Sequence, residues 1–164
     1  MKQTTGMKRI IIVSVLVIVV VAATWILVSQ NNTGEEFVNI RAFFNNNNLD
    51  PEFSCNKVFP VERGVLKTGE LEKTALSELL NGPTQSDTAQ GFFTSINSGV
   101  KINNLSIVRG KAMVDFDERL GFQVGGSCRV AAISAQIRET LKQFSNVEEV
   151  IISINGRTED ILQP

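Results

Sequence analysis

Asp115, Asp117 and Glu118 form the densest acidic group in the chain, and paired carboxylates of this kind can do acid–base work or hold a cation. Alternation along the surrounding segment, however, places Asp115 and Asp117 opposite Val114 and Phe116, where exposed acids on the wet face of a strand need no further explanation. The chain contains no His and no Tyr, so the commonest general base, the commonest metal ligand and the phenolic acid are all missing. Two cysteines, Cys55 and Cys128, are too few and too far apart for a zinc cluster, which needs four ligands, usually in close-spaced pairs. No metal, cofactor or catalytic residue is therefore expected; an enzyme acting through Asp115 and Asp117 is the alternative.

The glycines of Gly125-Gly126-Ser127 precede a helix start, where free amides can hold an anion. Without a tight strand–turn–helix fingerprint or a Lys, Ser127 reads better as an ordinary N-cap. Nucleic acid is not an expected partner, because sixteen Lys and Arg are scattered and matched by seventeen acids.

The elements that must position these residues begin with an anchor. Ile10 to Val28 carries no charge, and at 1.5 Å per residue it spans roughly the 30 Å hydrocarbon core. Lys2, Lys8 and Arg9 precede it and Glu35 and Glu36 follow it, which puts the N-terminus inside and the rest outside, with Trp25 at the outer interface. The expected organisation is a cytoplasmic stretch 1–9, a transmembrane helix 10–28, a linker 29–36, one domain 37–157 and a tail 158–164, making a single-pass protein of the cell membrane. A secreted protein with a cleaved signal peptide is the rival, since Val21-Ala22-Ala23 imitates a cleavage site; the apolar run continues past it.

Within the domain, Phe37–Phe44 and Lys57–Leu66 are rich in β-branched and aromatic residues and read as strands, with Pro60 placing the second at an edge or a bulge. Asn45 to Asn48 reads as an exposed loop. Leu71, Ala75, Leu76, Leu79 and Leu80 form one helical face, stopped by Gly82-Pro83. A helical turn over Asp87–Phe93 leads into strands Val100–Val108 and Lys111–Asp117, joined tightly at Arg109-Gly110. Ser127–Phe144 is a helix with Val130, Ile133, Ile137, Leu141 and Phe144 on one stripe, and Val147–Asn155 is the last strand. The order β-β-α-β-β-α-β predicts an α+β fold, a mixed β-sheet with two helices packed on one face. Val114, Phe116, Ile133, Ile137, Leu141, Val150, Ile152 and Ile154 are its expected core.

Cys55 and Cys128 both lie at element ends in a domain expected to face an oxidising compartment, which makes them a candidate disulfide. The alternative is a pair of ordinary buried thiols.

The order and spacing of Pro60, Val61 and Arg63, of Ala75-Leu76 with Leu79-Leu80, and of Gly82-Pro83-Thr84 resemble the GerMN domain of sporulation and spore-germination proteins. The likeness continues through Gly91-Phe92, Ala112 with Val114-Asp115-Phe116, Gly126-Ser127 with Arg129, Thr140-Leu141, Val147 with Val150, and Asn155-Gly156. It covers about residues 37 to 157. The chain departs from the sporulation protein in carrying one copy where two are understood, and a helical anchor where a lipid would be expected. The resemblance implies a role outside the cytoplasmic membrane in binding or assembly, with a protein or cell-wall partner and possible oligomerisation. Arg63 and Arg129 fall at its motif positions. They are candidates for contacting a partner, or else structural ion-pair residues.

Overall fold

The computed structural model describes residues 15–25, 36–52, 54–67 and 69–162, and the chain divides into two compact units, Met1–Glu36 and Phe37–Pro164. In the first unit, residues 15–25 are helical and their apolar side chains are exposed. Eleven helical residues rise only about 16 Å, and among the described residues no helix is long and apolar enough to cross a membrane. The ends of the expected span 10–28, and nearly all of the linker 29–36, lie outside the described residues.

The second unit opens with β1 (Phe37–Asn46) and β2 (Phe59–Leu66), paired antiparallel from Phe37↔Leu66 to Phe44↔Phe59. Helices α1 (Leu71–Asn81) and α2 (Gln85–Ala89) follow, and then the two-residue β3 (Phe92–Phe93) returns to pair with Asn45 and Asn46. Strands β4 (Ile102–Val108) and β5 (Lys111–Phe116) form a hairpin, a 3₁₀ turn spans Glu118–Leu120, and α3 (Ser127–Lys142) crosses over to β6 (Glu149–Ile154), which lies parallel to β5.

The single mixed sheet expected from sequence is instead two three-stranded sheets, in the orders β2-β1-β3 and β4-β5-β6. The physical reason lies along β1, where α3 side chains occupy ladder positions. Thr140 Oγ1 accepts from the Phe43 N–H at 3.1 Å, and Gln143 both accepts from the Arg41 N–H at 2.8 Å and donates to the Arg41 carbonyl at 2.6 Å. With β3 pairing the last two residues, that stretch of β1 has no edge left for β4 to join.

Helices α1 and α3 pack on β1 and on each other, and α3 also packs on β6. One core joins both sheets: Ala42 and Phe44 meet Leu76, Leu79, Ile133, Ile137 and Leu141, and through them Ala112, Val114, Phe116, Val150, Ile152 and Ile154. All eight expected core residues lie in this cluster. Ile161 and Leu162, placed in the tail by sequence, also pack against it.

Local chemistry explains the boundaries. Arg109 and Gly110 both have positive φ, 50° and 80°, as a two-residue hairpin turn requires. Helix α1 ends at Gly82 with φ 80°, whose N–H reaches the Leu79 carbonyl. Helix α2 starts earlier than the expected turn because Thr84 and Asp87 form a capping box. Ser127 is not the cap of α3: Gly126, with φ 85°, holds that position without a side-chain bond, and Ser127 is the first helical residue. The Asn run is not an exposed loop at its start, since Asn45 and Asn46 end β1 and are each 2% exposed.

Candidate functional site

The acidic group sits where β5, β6 and the turn after β6 meet. Asp115 accepts from Ser153 Oγ at 2.6 Å, from the Gly156 N–H at 2.7 Å and from Asn103 Nδ2 at 3.0 Å. Partial burial works to raise its pKa, but these three hydrogen bonds outweigh it and hold the carboxyl below its usual range. Asp117 Oδ1 accepts from the Lys101 N–H at 3.1 Å, and Glu118 Oε2 accepts from Asn155 Nδ2 at 3.3 Å. The three acids thus bind the start of β4 and the turn after β6 to the end of β5. A carboxylate held ionised by three hydrogen bonds is a poor proton donor near neutral pH. Among the described residues no three His, Cys, Asp or Glu side chains converge as a metal site would require.

Arg63 projects from β2 onto the helices. Its Nη2 meets Asp87 Oδ2 at 2.5 Å and its Nε lies 3.8 Å from Glu78. Burial would raise the Asp87 pKa, yet the Arg63 guanidinium and the Thr84 hydroxyl and N–H together hold it below the ordinary value. Arg63 therefore fastens β2 to α1 through Glu78 and to the capping box of α2 through Asp87.

Arg129, in the first turn of α3, donates to the Ser95 carbonyl at 3.3 Å, the Gln123 carbonyl at 3.2 Å and Asn97 Oδ1 at 2.6 Å. It ties the loop after β3 to the approach of α3. Each arginine is thus engaged within the domain, and the two share no hydrogen-bond partner among the described residues. The open cavity beside Arg129, about 560 Å³, is lined by Thr94, Ser95, Ile96, Gly125, Gly126 and Cys128.

Cys128 is bonded to Cys55 with a Cα–Cα separation of 4.8 Å. The bond pins the β1–β2 connection to the start of α3. The same connection is held by the buried polar cluster that sequence reading missed. Asn45 Nδ2 donates to the carbonyls of Cys55 at 3.4 Å and Lys57 at 3.1 Å, while its Oδ1 accepts from Gln136 Nε2 at 2.6 Å and Ser95 Oγ at 3.3 Å. Asn46 Oδ1 accepts from the N–H groups of Asn48 and Leu49, at 2.8 and 3.0 Å. At Gly91, with φ 90°, a Cβ would lie 2.7 Å from Asn48 Nδ2, so this approach needs glycine.

A groove of about 360 Å³ lies between the outer side of β4 and the start of α1, lined by Gly69, Glu70, Glu72 and Lys73, by Asn146 and by β4 itself. Glu72 accepts from Asn146 Nδ2 at 2.8 Å, and Glu70 lies 3.6 Å from Lys73. Sequence reading missed this groove too. The one signal that bore on it was negative: Ile102–Val108 holds no Pro and no charged residue of the kind that usually blunts an edge strand.

The chain matches the model of the Germane family, described as sporulation and spore germination, over residues 42–160. Among solved structures it is similar to the first GerMN domain of the sporulation protein GerM from Bacillus subtilis, with a TM-score of 0.58 and 23% identity over 74% of this chain and 85% of that one. It is also similar to the tandem GerMN domains of the same protein, with a TM-score of 0.57 and 18% identity, covering 78% of this chain and 43% of that one. No curated protein matches. These structural likenesses establish a shared fold, and the family match covers most of the chain: the protein belongs to the Germane family and carries one GerMN domain.

Proposed function

We infer that this protein is a membrane-anchored interaction or assembly module of the bacterial cell envelope, working outside the cytoplasm in a sporulation- or germination-linked complex. The observation that carries the reading is the family match over residues 42–160, whose description is sporulation and spore germination. The chemistry of the domain is consistent with it. Asp115, Asp117, Arg63 and Arg129 all serve internal contacts, and the carboxylates whose pKa moves, Asp50, Asp87, Asp115, Glu118 and Glu149, all move down. The proposed anchor is the uncharged run from Ile10 to Val28, with the basic residues before it inside.

The test is purification of the full chain, tagged after Pro164, from crosslinked and detergent-solubilised membranes of its own cells. The reading expects a stoichiometric partner, or a second copy, to be retained through stringent washing. Recovery of the lone monomer from the soluble fraction would overturn both the anchor and the module.

A further inference from the structure

Strand β4 is an outer strand of the second sheet. The direction of its backbone groups follows from β5. The N–H groups of Glu149 and Asn155 reach the carbonyls of Gly110 and Phe116, at 3.0 and 2.9 Å, so the even-numbered positions of β5 face β6 and Lys111, Met113 and Asp115 face β4. The bonded pairs across the hairpin are therefore Val108↔Lys111, Ser106↔Met113 and Asn104↔Asp115. Leu105 and Ile107, lying between them, turn their N–H and C=O groups away from the sheet, and among the described residues these groups have no partner.

The other edges are treated differently. Outward positions of β2 begin with Pro60, which has no N–H to offer; β1 is closed by Thr140 and Gln143; and Arg138 Nη1 takes the Val150 carbonyl on β6. At β4 a donor–acceptor row opens onto a groove. A strand added there would lie about 4.8 Å from β4, between it and the start of α1. The Leu105 and Ile107 side chains are half-buried against the core, so the edge presents backbone and not an apolar surface.

Backbone pairing selects an extended polypeptide, and the wall of the groove selects its charge. Glu70 and Glu72 outnumber Lys73, and Asn146 adds an amide. A second copy fits this wall poorly, because β4 (INNLSIV) carries no cation. We propose that β4 is a strand-addition site, where an extended segment of a partner protein bearing Lys or Arg pairs with Leu105 and Ile107 and sets its cations against Glu70 and Glu72.

This proposal rests on the interaction-module reading, and the two fail separately. The probe is the hexapeptide Lys-Val-Lys-Val-Lys-Val, titrated into the isotope-labelled full chain in neutral detergent micelles. The expected result is a shift of the Leu105 and Ile107 amide resonances and at least a tenfold slowing of their hydrogen exchange. N-methylation of the peptide at one alternate set of residues should abolish the effect, while methylation of the other set should leave it. Glu-Val-Glu-Val-Glu-Val should bind at least tenfold more weakly, and Glu72→Lys should reverse that preference. Absence of a shift at Leu105 and Ile107, equal binding of both methylated peptides, or concentration-dependent protection of the edge without peptide, which marks a second copy, would each overturn the proposal. If the peptide fails while the crosslinked chain retains a partner, only the location is wrong; if no partner is retained, the module reading fails as well.

Discussion

The far side of β1 in the first sheet and the outer side of β4 in the second treat their backbone in opposite ways. In the first, β1 meets β2 on one side, and on the other its ladder is continued by β3 and by the side chains of Thr140 and Gln143 from α3. In the second, β4 turns the backbone groups of Leu105 and Ile107 into a groove walled by the start of α1. Both sheets share one core, yet one edge is sealed by a helix that packs on it and the other faces a groove. A domain that folds as one body thus leaves this one strand's backbone turned to a groove.

The largest effect is expected in the shared core. Phe116 is fully buried, and Phe116→Ala should cost roughly 3–5 kcal/mol, read as the shift in denaturant midpoint. If only the second sheet loosened, the single core would be wrong. The disulfide comes next. Its two residues are separated by 73 positions, and replacing both Cys55 and Cys128 by Ser should cost about 4 kcal/mol in the chain-entropy model. Non-reducing mass spectrometry of the mature protein should find no free thiol, and two free thiols would show that the bond does not form in the cell.

Smaller effects separate the edges directly. Thr140→Val leaves the Phe43 N–H without its acceptor and should cost about 1–3 kcal/mol, whereas Asn146→Ala at the open groove should change stability by less than about 0.5 kcal/mol. Equal effects would erase the contrast. The smallest change is expected on acidification. The folded pKa of Asp87 lies below its ordinary value of 3.8, so the stability it contributes is fully present above that value and is lost as pH falls through the lower, folded one. Asp115 acts in the same direction. Both charges should therefore hold at pH 5, and Asp87→Asn should lower the plateau of a stability–pH curve between pH 5 and 7 and flatten its acid limb. A variant whose acid limb matches the parent would remove Asp87 from the account.

Much of the core could be read locally. The four-residue steps from Ile133 through Ile137 to Leu141 and the alternation of Ala112, Val114 and Phe116 are properties of single segments, and all these residues are buried. Arg109-Gly110 and Pro60 were legible for the same reason, since turn chemistry and a missing donor act where they stand. What failed depended on partners distant in sequence. Asn45 is buried because Gln136, 91 positions on, supplies a donor, and β1 is closed by residues 97 and 102 positions away. No local pattern encodes such pairings, so the division into two sheets was invisible. Ser127 was misread as a cap because Gly126 can take a positive φ and begin α3 without a side-chain acceptor. At the candidate site, sequence pointed to charges, which serve internal contacts, and passed over an uncharged strand whose backbone faces a groove.

Amide hydrogen exchange of the full chain in dilute micelles compares the two edges most directly. The account predicts that Arg41 and Phe43, whose N–H groups are held by Gln143 and Thr140, exchange at least about tenfold more slowly than Leu105 and Ile107, whose N–H groups face the groove. Equal protection at all four amides, in a chain shown to be monomeric and free of partner, would contradict it.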